Sequence, residues 1–361
     1  MTDATVLPME PKFEYPHVPE GSQKTGSCLQ QPVALVCGVS GQDGCYLAKY
    51  LLDHGYKVFG TSRDASISTF TGLRKLGIRD QFQVVSMALN DFRSVLQVLA
   101  KLQPREIYNL AGQSSVGLSF EQPVETLESI SIGMLNLLEA IRFLGSDVRL
   151  YNAGSSECFG DTGGVAATEL TPFRPCSPYA VAKSAAFWQV ASYREAYKLY
   201  ACSGILFNHE SPLRPERFVT QKIVRAACRI AAGTKEKLKL GNLRIERDWG
   251  WAPDYVEAMW LMLQRDKPED FVIATGRSYS LEDFVAHVFS ALQLDWREYT
   301  VLDESLFRPA DHLHSCANPS KARSMLGWTA SCTMPVVAER MVQAVLSQSA
   351  IEHTPKCQVT L

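Results

Sequence analysis

Two side chains that could share a proton lie four residues apart, at Tyr179 and Lys183. On a helix, this spacing places both side chains on one face. A free tyrosine is a poor base at neutral pH, because its pKa is roughly 10, and nearby positive charges would lower that pKa. We therefore expect Tyr179 to be a catalytic base and Lys183 to be the partner that supports it.

A hydroxyl and a carboxylate follow a short apolar run upstream of this pair. Residues 148–153 predict a strand, and Ser155 and Glu157 come just after it. The carboxyl ends of strands in an open α/β sheet line the ligand crevice, where both groups could move protons on a substrate. The alternative is that Ser155 only caps a helix and Glu157 is solvated. Beside Tyr179 and Lys183, we favour catalytic roles for both residues.

A glycine-rich loop near the start of the chain predicts a phosphate-binding site. Gly38, Gly41 and Gly44 lie between an apolar run at 33–37 and a helical pattern that continues to residue 52. Glycines in this position let the backbone approach a pyrophosphate, and the helix N-terminus supplies partial positive charge. Turn geometry alone could also explain the glycines. Because the loop lies in the first strand–helix–strand unit, we favour a dinucleotide site.

The end of the second predicted strand bears on which nicotinamide dinucleotide would bind. Arg63 and Asp64 stand together there, after Ser62. An arginine at this place accepts the 2′-phosphate of NADP, whereas an acid holds the ribose hydroxyl of NAD. We favour NADP on the strength of Arg63, and Asp64 leaves NAD open.

Strands and helices alternate along the first part of the chain. The apolar runs predict strands at 33–37, 57–62, 81–87, 106–110, 148–153 and 200–207, and helices at 46–52, 95–102, 133–144 and 185–197. After about residue 208, we predict helices at 219–232 and 254–265 and a further strand at 271–275. This pattern predicts an α/β fold with a doubly wound, Rossmann-type parallel sheet and a smaller, mostly C-terminal substrate domain.

The same pattern divides the chain into segments. Residues 1–30 hold four prolines and little periodicity, so we expect a flexible tail. We expect the cofactor-binding domain at 31–207, with a returning segment near 251–275. The sugar-nucleotide domain would then comprise 208–250 and 276–347, and residues 348–361 would form a loose tail.

Composition excludes several other classes of protein. The 361 residues carry a net charge of −2, and no apolar run reaches the length of a membrane span, so neither nucleic acid nor a membrane is expected as a partner. The first residues resemble no signal peptide, and ten cysteines without a CxxC pair suggest neither disulfides nor zinc. We expect a cytoplasmic protein without a metal. His312 and His314 are expected in a solvated strand or loop.

Taken together, these motifs resemble a known family. The chain resembles the extended short-chain dehydrogenase/reductases, and among them the GDP-mannose 4,6-dehydratases, over about residues 31–345. The segments that carry the resemblance are 38–52, 111–123, 155–161, 177–183, 205–212, 240–243, 247–250 and 254–264. Ser155 stands where the family usually has threonine, and Arg63-Asp64 stands where it usually has two arginines.

The resemblance implies functional residues. It implies that NADP is bound by Gly38, Ser40, Gly41, Gln42, Asp43, Gly44, Arg63, Leu89, Leu110, Ala111, Gln113, Ser114, Tyr179, Lys183, His209 and Arg214. It implies that the GDP-sugar is bound by Ser114, Ser155, Glu157, Tyr179, Asn208, Lys222, Arg247 and Arg308. The catalytic residues would be Ser155, Glu157, Tyr179 and Lys183.

The implied reaction converts GDP-mannose to GDP-4-keto-6-deoxy-mannose by hydride transfer from C4 to C6 through NADP. The resemblance also implies a homo-oligomer, either a dimer or a tetramer. An epimerase, a 4-keto-reductase or a decarboxylase acting on a related nucleotide sugar is the alternative enzyme. A cofactor-binding sensor or scaffold that has lost catalysis is the alternative outside enzymes.

Overall fold

Parallel strands alternate with helices over most of the computed structural model, which describes residues 31–352. The strands are β1 (Val33–Cys37), β2 (Lys57–Ser62), β3 (Gln83–Ser86), β4 (Glu106–Asn109), β5 (Arg149–Ala153), β6 (Tyr200–Leu206), β7 (Asn208–Glu210), β8 (Leu238–Leu240), β9 (Glu246–Trp251), β10 (Phe271–Ile273), β11 (Ser278–Ser280) and β12 (Thr300–Leu302).

The helices connect these strands. They are α1 (Gln42–Asp53), α2 (Thr71–Lys75), α3 (Phe92–Leu102), α4 (Val116–Glu121), α5 (Pro123–Leu127), α6 (Gly133–Leu144), α7 (Pro178–Tyr197), α8 (Val219–Ala231), α9 (Ala252–Leu263), α10 (Leu281–Ser290), α11 (Trp296–Tyr299), α12 (Ser320–Leu326) and α13 (Met334–Glu352). A π-helical turn at Glu128–Ile132 joins α5 to α6, and a 3₁₀ turn at Ser156–Phe159 follows β5.

Seven strands form one parallel sheet in the order β3-β2-β1-β4-β5-β6-β10. Apolar side chains cover both faces, with α1 and α9 packed on one side and α3, α6 and α7 on the other. The doubly wound, Rossmann-type parallel sheet is therefore confirmed. The chain order reverses between β1 and β4, so the carboxyl ends of these strands open a crevice.

The segments that follow β6 build smaller sheets over a separate apolar cluster. The strands β7, β9 and β11 form a three-stranded sheet, and β8 pairs with β12. Helices α8, α10 and α13 pack on these strands around Trp249 and Phe284. In contrast, α9 and β10 return to the large sheet. The described residues from Pro32 onward form one compact unit, so the two-domain division stays a prediction.

Most predicted elements exist in the structure, and their ends differ by a few residues. Helix α7 begins at Pro178, seven residues before the predicted start, because Ser177 caps it and accepts a hydrogen bond from the Ala180 amide at 3.1 Å. Helix α13 continues through Glu352. The prediction of a loose tail at 348–361 is therefore wrong for residues 348–352. The predicted tails at 1–30 and 353–361 lie outside the described residues.

Candidate active site

The glycine-rich loop turns tightly between β1 and α1. Gly38 has φ of +80°, and a Cβ there would lie 2.9 Å from the backbone of Ala111. A Cβ on Gly44 would lie 2.4 Å from the carbonyl oxygen of Gly38. Both positions therefore require glycine. The loop leaves backbone amides at the N-terminus of α1 facing open space, as a dinucleotide pyrophosphate needs.

A cavity of about 810 Å³ opens at the carboxyl ends of β1, β2 and β4. The predicted cofactor residues that line it are Gly38, Ser40, Gly41, Gln42, Asp43, Gly44, Arg63, Leu89, Leu110, Ala111, Gln113, Ser114 and Arg214. Of the remaining three, His209 lies behind the loop, and Tyr179 and Lys183 lie on α7. The volume and the glycine cradle fit a dinucleotide.

Sequence reasoning missed several residues that line the same cavity. They are Thr61, Ile67, Ser68, Met87, Asn90, Leu118, Gln122, Glu125, Ser129, Pro215, Arg217 and Phe218. Thr61 and Met87 lie at the end of a predicted strand, and Ile67, Ser68 and Asn90 follow one by three to six residues, which is the signal that could have indicated them. The helices α4 and α5, which supply others, carry too short an apolar pattern to be predicted.

Arg63 and Asp64 have different surroundings at the end of β2. The Asp64 carboxylate accepts hydrogen bonds from the Ser66 amide at 2.8 Å, the Ser66 hydroxyl at 2.5 Å and the Ile67 amide at 3.2 Å. These hydrogen bonds lower the pKa of Asp64. The Arg63 side chain is 83% exposed and contacts only Glu125, at 3.2 Å, among the described residues. All three hydrogen bonds engage Asp64 Oδ1, so one oxygen of this carboxylate serves its own turn. The Arg63–Glu125 ion pair is solvent-exposed and therefore weak, so a ligand phosphate can displace it.

A buried charged pair supports the glycine-rich loop from behind. His209 donates from Nε2 to Asp43 Oδ2 at 2.9 Å and from Nδ1 to the Phe207 carbonyl at 2.7 Å. Both acceptors lack a proton, so both ring nitrogens must carry one and the imidazole is charged. Burial opposes this charge, but Asp43 outweighs it and raises the pKa of His209. Burial likewise opposes the carboxylate, but His209 lowers the pKa of Asp43 to about 2.

Arg214 borders the cavity from the loop after β7. Its Nε lies 3.3 Å from Glu210 Oε2, and its guanidinium stacks over the Phe218 ring at 3.8 Å from the ring centroid. Glu210 is buried and also accepts a hydrogen bond from Thr220 at 2.7 Å. The guanidinium is thus held in a fixed orientation toward the cavity, where it could meet a phosphate.

Tyr179, Lys183 and Ser155 meet at the carboxyl end of β5. The Ser155 hydroxyl lies close enough to the Tyr179 phenol to lower its pKa, and Lys183 donates from Nζ to the Ala153 carbonyl at 2.8 Å. The Lys183 nitrogen lies 5.8 Å from the centroid of the Tyr179 ring. Burial lowers the pKa of Lys183 to about 8. The first two turns of α7 therefore bring the predicted base and its partner together.

The protein alone does not lower the pKa of Tyr179. Burial raises the pKa of the Tyr179 phenol, and the Ser155 hydroxyl offsets only part of this effect. Lys183 does not reverse the shift, because its Nζ donates to the Ala153 carbonyl. Lowering the pKa of Tyr179 below its ordinary value requires a positive charge beyond those of the described residues.

Glu157 lies beside these residues and is largely buried. Ser155 accepts a hydrogen bond from the Glu157 amide at 3.3 Å, so Ser155 does cap the 3₁₀ turn. The Glu157 side chain is only 15% exposed, which excludes a freely solvated carboxylate. Its negative charge acts on Tyr179 and on Arg247. The structure therefore brings together all four predicted catalytic residues.

The residues that were predicted to bind the sugar nucleotide differ in burial and in their partners. Arg247 is 4% exposed and donates to Asp311 at 3.0 Å and to the His312 carbonyl at 3.1 Å. Burial lowers its pKa. Arg308 is exposed and close enough to act electrostatically on Arg247. Arg247 thus clamps the loop that carries Asp311 and His312, while Arg308 is free for a ligand.

The other predicted contacts lie apart from this cluster. Asn208 begins β7 and pairs with Trp249 of β9, and Ser114 is exposed at the cavity rim. Lys222 donates to the Lys239 carbonyl of β8 at 2.7 Å. Among the described residues, no contact joins Lys222 to Arg247 or Arg308.

His312 is buried, which corrects the expectation of a solvated position. Its Nδ1 lies 3.9 Å from Glu157 Oε2, and its side chain is 5% exposed. Burial, followed by the Arg247 charge, lowers the pKa of His312 to about 4. His314 is partly exposed and contacts Glu246 at 3.0 Å. In the described part of the chain, no three His, Cys, Asp or Glu side chains are placed to hold a metal ion.

Solved structures share this fold. The dTDP-glucose 4,6-dehydratase DesIV of Streptomyces venezuelae, solved with NAD, superimposes with a TM-score of 0.78 at 20% identity, over 88% of this chain and 98% of that one. The UDP-glucose 4-epimerase of Thermus thermophilus, also solved with NAD, gives 0.75 at 24% identity, over 86% and 98%. RMD of Pseudomonas aeruginosa, complexed with NADPH, gives 0.73 at 20% identity, over 88% and 98%.

Other known proteins are more similar to this chain in sequence than these solved structures are. GDP-mannose 4,6 dehydratase 2 of Arabidopsis thaliana is 44% identical over 331 residues, which cover 88% of both chains. The GDP-mannose 4,6-dehydratase of Vibrio cholerae serotype O1 is 40% identical over 355 residues, which cover 89% of this chain and 95% of the relative. The family model for GDP-mannose 4,6 dehydratase matches residues 35–341. On this evidence, the chain belongs to the GDP-mannose 4,6-dehydratase family.

Proposed function

We propose that this protein is a GDP-mannose 4,6-dehydratase that uses a bound nicotinamide dinucleotide and releases GDP-4-keto-6-deoxy-mannose. The observation that carries the proposal is the grouping of Ser155, Glu157, Tyr179 and Lys183 at the carboxyl end of β5, where the cavity residues Arg214 and Asp43 act electrostatically on Tyr179 and Lys183. A reductase needs no base at C5 of the sugar, so the largely buried Glu157 favours a dehydratase over that alternative.

When bound, the dinucleotide supplies the hydride acceptor for C4, the hydride donor for C6, and a cationic ring beside Tyr179. Tyr179 takes the proton from O4 of the sugar, and the nearby Ser155 hydroxyl favours the phenolate by lowering the pKa of Tyr179. The new ketone at C4 acidifies the C5 hydrogen, which Glu157 removes as a proton. Glu157 returns that proton to the departing C6 hydroxyl, so water leaves. The proton held on Tyr179 is then available for C5, and both residues return to their starting states.

The order of these steps defines a test. Glu157→Gln keeps the size of the side chain and removes the base. Tyr179 and Lys183 remain, so C4 oxidation continues while elimination stops. With GDP-mannose, the variant should accumulate dihydronicotinamide absorbance, and 4-keto-6-deoxy product should form about 10²–10⁴-fold more slowly.

Tyr179→Phe is the matched variant, because it should abolish the absorbance change as well as the product. If Glu157→Gln turns over like the parent, Glu157 takes no part in the reaction. A sister activity such as epimerisation or keto-reduction would then be the better assignment.

We further propose that the preferred cofactor is NADP. The support is that Asp64 Oδ1 is occupied by Ser66 and Ile67, whereas Arg63 is exposed at the cavity in a weak surface pair with Glu125 that a 2′-phosphate could replace. The cofactor residues named from the sequence, together with Tyr179 and Lys183, are proposed to hold it.

Arg63→Ala should weaken NADP binding by about 1.5–3 kcal/mol, roughly ten- to hundredfold, and leave NAD binding unchanged. Titration of the two dinucleotides into stripped enzyme measures both constants, and NAD serves as the internal control. Equal losses for the two dinucleotides would contradict this role for Arg63. Recovery of mainly NAD from purified protein would contradict the NADP preference itself.

We propose that the GDP-sugar is held by Ser114, Asn208, Lys222, Arg247 and Arg308 in a domain built from residues 208–250 and 276–347. The exposed Arg308 supports this proposal most directly, because its guanidinium can meet paired phosphates. For the buried Arg247, the support is its position beside Glu157.

We also propose a homo-oligomer in the cytoplasm. Helices α5 and α7 pack together and leave large apolar side chains exposed, among them Val124, Leu127, Val181 and Trp188. Such a patch indicates a surface for protein association. The eight described cysteines are all free thiols, as expected in a reducing compartment. No described helix has the length and hydropathy needed to cross a membrane.

A further inference from the structure

His312 is the basic side chain nearest to the Glu157 carboxylate. Its Nδ1 lies 3.9 Å from Glu157 Oε2, and no other described lysine, arginine or histidine comes within 4.0 Å of that carboxylate. Glu157 comes from the turn after β5 and His312 from the loop before α12, so distant segments of chain meet here. Both side chains are largely buried, and water competes little for their contact.

The loop that carries His312 is held in place by backbone and side-chain hydrogen bonds. Arg247 donates to the carbonyls of His312 and Leu313 and to the Asp311 carboxylate. The Asp161 carboxylate accepts a hydrogen bond from the Leu313 amide at 2.8 Å. The imidazole is therefore fixed toward Glu157 by groups that do not themselves contact the Glu157 carboxylate.

The neutral state of the His312 ring suits a residue that contacts Glu157, because Glu157 gains and loses a proton in the proposed reaction. Burial and Arg247 hold the pKa of His312 at about 4, so the ring is neutral at neutral pH. A neutral imidazole does not stabilise the neighbouring carboxylate as strongly as a cation would. The same ring can donate a hydrogen bond to a carboxylate and, in the other tautomer, accept one from a carboxylic acid.

We propose that His312 is a positioning residue for Glu157, which it orients toward the sugar C5 through a hydrogen bond from Nδ1. The observed 3.9 Å separation is one that side-chain rotation closes when the substrate binds, because catalytic hydrogen bonds are often long in the free enzyme. This inference rests on the proposed dehydratase function and adds a residue to it.

His312→Phe tests the proposal, because phenylalanine keeps the ring and removes both nitrogens. We expect kcat for the 4-keto product to fall about ten- to hundredfold with KM for GDP-mannose unchanged. Because the Tyr179 step is unaffected, the fraction of reduced cofactor in the steady state should rise. Loss of structure alone would lower the active fraction without this accumulation.

His314→Phe is the matched control, since it makes the same change two residues away at a side chain that contacts Glu246. It should keep the parent's kcat and cofactor redox state. If His312→Phe behaves like His314→Phe, the proposal is overturned.

A pair of polar variants tests the proposal even where His312→Phe does not fold. His312→Asn places an amide nitrogen at the position of Nδ1, whereas His312→Gln places it at the position of Nε2. We expect Asn to restore kcat to within about threefold of the parent and Gln to remain about tenfold slower. Equal rates, or the reverse order, would overturn the proposal. Failure of the parent to convert GDP-mannose is a different result, which rejects the dehydratase function and this inference with it.

Discussion

At the scale of single residues, the charged pair of Asp43 and His209 joins the glycine-rich loop to the segment after β6. The pKa of Asp43 is lowered to about 2, so its contribution to stability is present above its ordinary pKa and is lost as the pH falls toward 2. The pKa of His209 is raised, so its contribution is full below its ordinary value and is lost as the pH rises through the folded value. The attraction is therefore greatest in mildly acidic solution.

Asp43→Asn should reduce the free energy of unfolding by about 2 kcal/mol at about pH 5.5, where both groups are charged. The difference from the parent should shrink as the pH rises well above the ordinary pKa of His209, because His209 then loses its proton in the parent. Urea denaturation of both proteins at about pH 5.5 and at a series of higher pH values measures this. A difference that stays constant or widens toward alkaline pH would contradict the charged pair.

Residue types and their spacing predicted which residues form most of the candidate site. They did not predict which neighbours each side chain contacts. The Tyr179–Lys183 spacing and the position of Glu157 after β5 were sufficient to place these residues together. Asp64 could not be assigned, because an acid after β2 suits a ribose or a turn equally well. The serine two residues later was the available signal for a turn. His312 gave no signal, because its approach to Glu157 depends on segments more than 150 positions apart.

At the scale of elements, helix α7 positions the chemistry through contacts at each end. Ser177 caps its first turn, just before Tyr179, and its last turn carries Arg194, which forms a bidentate pair with Asp270 at 2.9 and 2.7 Å. Asp270 also accepts a hydrogen bond from the Ser203 amide of β6 at 2.7 Å. The helix is thereby fixed against the edge of the sheet.

Ser177→Ala should destabilise the protein by about 1 kcal/mol, because the Ala180 amide loses its partner in a buried place. It should also lower kcat, since Tyr179 lies on the turn that the cap orders. Ser192→Ala is the control, because Ser192 is exposed in the interior of the same helix. Thermal unfolding and turnover are measured for both. Equal effects of the two substitutions would contradict the role of the cap.

Elements with strong periodicity were predictable, and those set by tertiary contacts were not. Apart from the edge strand β3, the strands of the large sheet are buried on both faces, so they appear in the sequence as apolar runs between turn residues. The short helices α4 and α5 and the π-helical turn have no comparable pattern, because they are fixed by packing against α7. The small strands β8, β11 and β12 are only three residues long, which is too short for a periodicity to develop.

At the scale of the whole molecule, the apolar patch on α5 and α7 has a consequence for assembly. Val124 is 66% exposed and Trp188 is 61% exposed, although the molecule buries most of its other large apolar side chains. Exposing such side chains to water is unfavourable, and burying an aromatic residue at the centre of an interface contributes strongly to association. Because α7 also carries Tyr179 and Lys183, association through this patch would support the helix that positions the base.

Trp188→Glu should therefore shift the protein to a smaller assembly without unfolding it. A carboxylate at the centre of an apolar interface loses its hydration without gaining a partner, whereas in the free subunit it remains solvated. Sedimentation velocity measures the assembly, and circular dichroism confirms the fold. Leu302→Glu, at an exposed position of β12, is the matched control and should leave the assembly intact. If the parent is already monomeric, or if Trp188→Glu and the parent sediment alike, the patch on α5 and α7 does not hold the subunits together.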